Sequence, residues 1–72
     1  MEVDRLVFQY TELLLFTADV KIRYAAKPVP AHVEIKNNRA FVEFQTPVRA
    51  VTPGQSAVFY ENGKILCGGI IN

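Results

Sequence analysis

Four basic side chains stand where they can act on a polyanion. Lys21 and Arg23 alternate with apolar residues and so share one face of an extended segment, Lys27 follows just beyond it, and Arg49 precedes the turn at Pro53-Gly54. Together they form a candidate phosphate-contacting patch. Nucleic-acid affinity is largely electrostatic, and such contacts position a ligand without reading its bases. The same side chains also fit an ordinary solvated face, or ion pairs with Asp19 and Glu43. Phe41, Tyr24 and Tyr60 can stack on unpaired bases, and they equally fit a core or a domain interface. His32 has the chemistry of a general base, yet no nucleophile or second acid is placed beside it. A solvent-facing, cross-strand histidine is the simpler reading. Cys67, the lone cysteine, reads as a small buried apolar residue rather than a reactive thiol. No catalytic set emerges, and no Cys/His set exists to hold a metal.

The elements that position these residues must be small. A chain of 72 residues is one domain at most, and a domain of this size buries only about 60% of the surface its unfolded chain exposes. Half of the residues are hydrophobic, enough for a packed core and too many for a disordered tail. A small chain without a disulfide or metal often leans on a neighbour, either another domain or a second copy of itself. The balance of eight Lys and Arg against seven Asp and Glu gives a net charge of +1. That is not the footprint of a free-standing nucleic-acid binder, although it leaves room for a local basic patch. No secretory signal follows Met1. The run Leu13-Leu14-Leu15-Phe16 is far too short to span a bilayer. The expected setting is reducing and cytoplasmic, with no membrane partner.

Hydrophobic periodicity reads as strand throughout. Residues 5–10 alternate, with Leu6, Phe8 and Tyr10 on one face and Arg5, Val7 and Gln9 on the other. Residues 11–15 fit a turn or one helical turn. Residues 16–24 give the clearest signal: Phe16, Ala18, Val20, Ile22 and Tyr24 face one way, and Thr17, Asp19, Lys21 and Arg23 the other. Pro28 and Pro30, which cannot donate to a ladder, are expected to end this strand region.

Residues 31–44 read as a hairpin about Asn37-Asn38, since asparagine tolerates the positive φ of a two-residue loop. The register then sets Lys36 opposite Arg39, Ile35 opposite Ala40, Val33 opposite Val42 and His32 opposite Glu43. Ala31, Val33, Ile35, Ala40, Val42 and Phe44 point inward, and His32, Glu34, Phe41 and Glu43 outward.

The stretch 46–60 links the two halves of the chain. Pro47 and Pro53 bracket Ala50-Val51, Pro53-Gly54 suits a type II turn, and a buried strand follows from Ser56. Residues 56–71 form a second hairpin about Asn62-Gly63, with Glu61 facing Lys64 and Tyr60 facing Ile65. Gly68-Gly69 marks a bulge, a bend or the close approach of another backbone. Both faces of this hairpin are largely apolar, so one of them is expected to meet another domain. A small antiparallel barrel of six strands accommodates the whole pattern and removes free edges.

Taken in order, Lys21-Ile22-Arg23-Tyr24, Val29-Pro30, Val42-Glu43-Phe44, the run from Pro47-Val48-Arg49 to Val58-Phe59-Tyr60, and Leu66-Cys67-Gly68-Gly69-Ile70-Ile71 resemble the C-terminal domain of the bacterial tRNA-specific 2-thiouridylases, once described as tRNA methyltransferases. The resemblance covers residues 21–71, with residues 3–16 matching more loosely. It implies an all-β, six-stranded antiparallel barrel similar to domain 2 of elongation factor Tu. It also implies a three-part parent, with an ATP-pyrophosphatase-type catalytic domain, a central domain and this barrel, which uses ATP and catalytic cysteines to add sulfur to the wobble uridine of tRNA. The chain departs from that pattern in lacking a Gly-rich ATP loop and a cysteine pair. Cys67 stands where the family usually has the first of three glycines, and no catalytic role carries over to it.

The expectation is therefore a non-catalytic tRNA-positioning domain, residues 1–72, that binds no cofactor itself. Its partners would be tRNA and the parent's other domains, with self-association through an uncovered face. The rival reading is a docking domain that stabilises the catalytic domain with little RNA contact.

Overall fold

The alternation that begins at Phe16 is realised as one strand of a closed sheet. The structure, a computed structural model, describes residues 1–8, 14–22, 27–48 and 51–72. Its strands are β1 (Glu2–Phe8), β2 (Leu15–Ile22), β3 (Val29–Lys36), β4 (Arg39–Phe44), β5 (Ser56–Glu61) and β6 (Lys64–Ile71). They close in the order β1-β4-β3-β2-β5-β6, every pair antiparallel. The all-β, six-stranded barrel read from the sequence is what the chain forms. On β2, Ala18, Val20 and Ile22 are buried while Thr17, Asp19 and Lys21 are exposed. Tyr24 lies outside the described residues.

Both hairpins keep the expected register near their turns. Lys36 pairs with Arg39, Ile35 with Ala40, Val33 with Val42 and His32 with Glu43. Asn37 and Asn38 take φ of 52° and 60°, the left-handed pair that a two-residue loop needs. Asn62 and Gly63 do the same at 51° and 78°, and Glu61 faces Lys64 while Tyr60 faces Ile65. Beyond that point Leu66 is extra, because Phe59 pairs with Cys67, and β6 carries a bulge.

The barrel interior is narrow, and its side chains show it. Phe59 is fully buried, and around it the core uses Ala18, Ala31, Ala40, Ala57 and Cys67, with Val3, Val20, Ile22, Val33, Val42 and Ile71 completing it. One phenyl ring among alanines fills a small cylinder that several large residues would overfill. Cys67 is completely buried, as its reading as a small apolar residue required.

Two expectations need correction. The first strand is Glu2–Phe8, not residues 5–10; Gln9 and Tyr10 lie outside the described residues. Val3, absent from the expected inward set, is its buried anchor. Arg5 adopts φ of 51°, and the pairing with β6 shifts between Asp4 and Val7, so Arg5 and Leu6 together oppose Gly69. This bulge puts Val3 and Leu6 on the core side across three positions, a spacing that period-2 reading cannot detect. Phe8, expected on the same face as Leu6, is 41% exposed while Leu6 packs against the core.

Pro30 does not stand between strands either; it belongs to β3, opposite Asp19. Its carbonyl accepts from Gln45 N at 3.0 Å, just past the end of β4. The nitrogen of an antiparallel residue points to the same side as its carbonyl, so the missing N–H falls where that ladder stops.

The Pro53-Gly54 turn forms as read, with Gly54 at φ 93°. Gln55 N donates to Thr52 O at 3.2 Å, and Gln55 Oε1 accepts from Thr52 N at 3.2 Å, locking the turn on itself. Gly54 N donates to Ile71 O at 2.8 Å and Ile71 N to Gln55 O at 2.7 Å. The turn is thereby fastened to the last residues of β6.

Candidate nucleic-acid interface

Antiparallel pairing brings the last residues of β2, β4 and β6 and the first of β3 and β5 to one end of the barrel. Lys21 stands one residue from the end of β2, and Lys27 two residues before β3, both exposed. Arg23 and Arg49 lie outside the described residues. Of the four basic positions, the structure thus shows Lys21 and Lys27 exposed and near one another along the fold.

The cross-strand partner of Lys21 is Val58, an apolar residue on β5. Among the described residues, the ion pair is between Arg39 and Glu2, at 3.4 Å. Asp19 and Glu43, the carboxylates that Lys21 was weighed against, make no salt bridge with it or with Lys27 in the described residues. An ammonium without a carboxylate partner breaks no ion pair when it turns to a phosphate. Sequence reading did not find the Arg39–Glu2 pair, which relieves the like-charge pair of Lys36 and Arg39 at the hairpin tip. It joins residues 37 positions apart, and nothing local signals it.

The aromatic and titratable candidates separate clearly. Tyr60 is half-buried on the outer face between Asp19 of β2 and Ile65 of β6. Phe41 is 37% exposed on β4. His32 is exposed between Thr17 and Glu43. Cys67 points into the core, and burial pushes its thiol up to about 11. It is therefore protonated at neutral pH, and the thiolate needed for sulfur chemistry is not formed. Among the described residues no group of three or more His, Cys, Asp or Glu could hold a metal, and no helix is long and apolar enough to cross a membrane.

The outer face of β5 and β6 is the one that sequence reading expected to be apolar. Val58, Tyr60 and Ile70 are half-buried and Ile65 is 44% exposed. One cross-strand row continues through Val58 and Gly68 to Val7 of β1, which is 65% exposed.

Comparison with known proteins decides the family. A family model described as the aminomethyltransferase beta-barrel domain matches residues 2–71. The chain belongs to this barrel family. Its relatives carry the resemblance read from the sequence. The chain is 52% identical over 56 residues to the tRNA-specific 2-thiouridylase MnmA of Fervidobacterium nodosum, covering 78% of the chain and 16% of that protein. It is 49% identical over 57 residues to the enzyme of the same name from Francisella philomiragia, again 78% and 16%. The MnmA of Sulfurimonas denitrificans matches at 42% over 62 residues, 86% of the chain and 18% of that protein. The aminomethyltransferase-type barrel thus spans about a sixth of the length of these 2-thiouridylases.

Proposed function

We propose that this barrel is a non-catalytic tRNA-positioning domain of an ATP-dependent tRNA 2-thiouridylase. Lys21, Arg23, Lys27 and Arg49 contact phosphates of the tRNA backbone, and the parent's other domains carry out adenylation and sulfur transfer on the wobble uridine. The observation that carries this reading is the projection of Lys21 and Lys27, free of carboxylate partners among the described residues, from a barrel whose relatives act on tRNA by name. Contacts of this kind hold and orient the substrate without reading bases. No ATP-dependent step is assigned to these residues. The setting follows that of tRNA modification, the cytoplasm.

Titration of the folded chain with tRNA at low and near-physiological salt tests the reading. The expected result is weak binding that falls as salt rises. Lys21, Arg23, Lys27 and Arg49 changed together to Ala should weaken it further. The salt slope should then flatten by roughly one unit for each phosphate no longer neutralised. No binding even at low salt would overturn the reading.

That outcome favours a second reading, supported by the apolar outer face of β5 and β6. The barrel then docks on the parent's catalytic or central domain and stabilises it, with RNA binding left to other parts. On this reading, charge reversal at Lys21, Arg23 and Arg49 leaves the tRNA affinity of the complete enzyme unchanged.

A further inference from the structure

A second surface has no role in either reading. A groove of about 470 Å³ lies on the outer side of β3 and β4, lined by Leu15, His32, Glu34, Phe41 and Glu43 with Met1 and Glu2 at one end. A single cross-strand row runs through it over four strands: Leu15 of β2 beside Glu34 of β3, Glu34 beside Phe41 of β4, and Phe41 beside Glu2 of β1. The next row sets Thr17, His32 and Glu43 side by side.

Two properties of this groove are independent of each other. Its floor is apolar: Leu15 is 74% exposed and Phe41 37%, the latter on a β3–β4 face whose other outward residues, Pro30 apart, are polar. Its rim is anionic. Glu2, Glu34 and Glu43 line it among the described residues, the Met1 ammonium at one end donates to Val42 O at 3.0 Å, and Lys36 and Arg39 form the next outward row. Glu2 is held by Arg39, whereas Glu34 and Glu43 make no ion pair among the described residues. Carboxylates beside an apolar floor disfavour phosphate where they stand. They attract ammonium and guanidinium groups, and the exposed ring gives an apolar side chain something to cover.

We infer that this groove docks a basic polypeptide segment, with an apolar anchor seated between Leu15 and Phe41 and flanking Lys or Arg side chains directed at Glu34 and Glu43. The occupant is protein rather than RNA, and it engages a side of the barrel that neither Lys21 nor Lys27 lines. The inference does not rest on the tRNA reading.

The test is a titration of the 15N-labelled chain, followed by amide chemical shifts. One probe is a short synthetic peptide with Lys residues around a single Phe. Its counterpart with Lys changed to Glu, and a single-stranded RNA oligonucleotide, are the controls. Shifts gathered on β3, β4 and Leu15 with the basic peptide alone are expected. Glu34→Lys combined with Glu43→Lys should weaken that binding roughly tenfold or more. Phe41→Ala should weaken it several-fold, which a purely electrostatic association would not show. All three positions are exposed, and the amide spectrum of each variant reports that the barrel is retained. Shifts spread evenly over the barrel, unchanged affinity in both variants, or perturbation of the groove by RNA would each overturn the inference. Phe41→Ala, which changes no charge, leaves the tRNA titration at Lys21 and Lys27 unaffected, so the two proposals fail separately.

Discussion

The two hairpins start from the same local chemistry and end with different surfaces. Each turns on two residues in the left-handed region, Asn37-Asn38 and Asn62-Gly63. In β3–β4 the register then runs unbroken from Lys36–Arg39 to Ala31–Phe44. Its outward residues are charged or polar apart from Pro30 and Phe41. In β5–β6 the register breaks after Tyr60, and the outward residues Val58, Tyr60, Ile65 and Ile70 are apolar. The inner faces are alike, both sealed into one core. Turn chemistry and alternation thus decide how a hairpin pairs, while the outward parity decides what it meets. The β3–β4 face is solvated around an apolar island, and the β5–β6 face is largely apolar.

The largest difference between the two should appear in backbone crowding. A Cβ on Gly69 would overlap the Asp4 carbonyl oxygen and stand 2.7 Å from Val3 Cγ1. Gly69→Ala should cost about 3 kcal/mol or more, because the bulge of β1 cannot retreat without opening the barrel. At Gly68 the same atom meets Ala57 O at 3.2 Å, and Gly68→Ala should cost nearer ~1 kcal/mol. Urea midpoints read both, and equal losses would show that the β1 bulge is not what demands glycine. No described residue in β3–β4 is confined in this way.

Next is a pH dependence that the β5–β6 side has through Cys67. Its folded pKa is raised from an ordinary 9.0 to about 11. In that interval the folded state holds a proton the unfolded state has lost, so stability is intact below pH 9 and falls as pH rises toward 11. The loss should reach about 1–2 kcal/mol near pH 10.5. Cys67→Ala removes this component while leaving other titrations in place. Parallel pH profiles for the two proteins would refute the buried thiol.

The turns differ less. Gly63→Ala should cost about 1 kcal/mol, since φ of 78° strains any residue with a Cβ. Asn38→Gly should instead stabilise β3–β4 by a few tenths of a kcal/mol, as it produces the preferred Asn-Gly loop. Thermal midpoints of both variants check the opposite signs. The smallest effect belongs to the outer face. Ile65→Lys should change the stability of the chain by less than about 0.5 kcal/mol. A larger destabilisation would mean that Ile65 packs within the barrel and is not held for a partner.

The four basic positions show the limit of sequence reading at the site. Exposure of Lys21 was legible, because alternation on β2 assigns every second residue to solvent. Its lack of a carboxylate partner among the described residues was not, because the position of Glu43 relative to it is set by the lateral arrangement of strands. The groove on β3–β4 was half legible. The outward direction of Phe41 was read correctly, but its row with Leu15 joins residues distant in the chain.

What the amino-acid sequence determined by itself is the set of strands with strong alternation, both hairpin registers near their turns, the Pro53-Gly54 turn, the burial of Cys67 and the family. These depend on interactions between near neighbours, on turn dihedrals and on side-chain period, all of which a linear string displays. Only the tertiary structure decided the bulge at Arg5 and the role of Val3, the place of Pro30 in β3, the pairing of Arg39 with Glu2 and the groove beside Phe41. Each of these is set by which strands lie side by side once the barrel closes, and closure brings together residues that no local pattern relates.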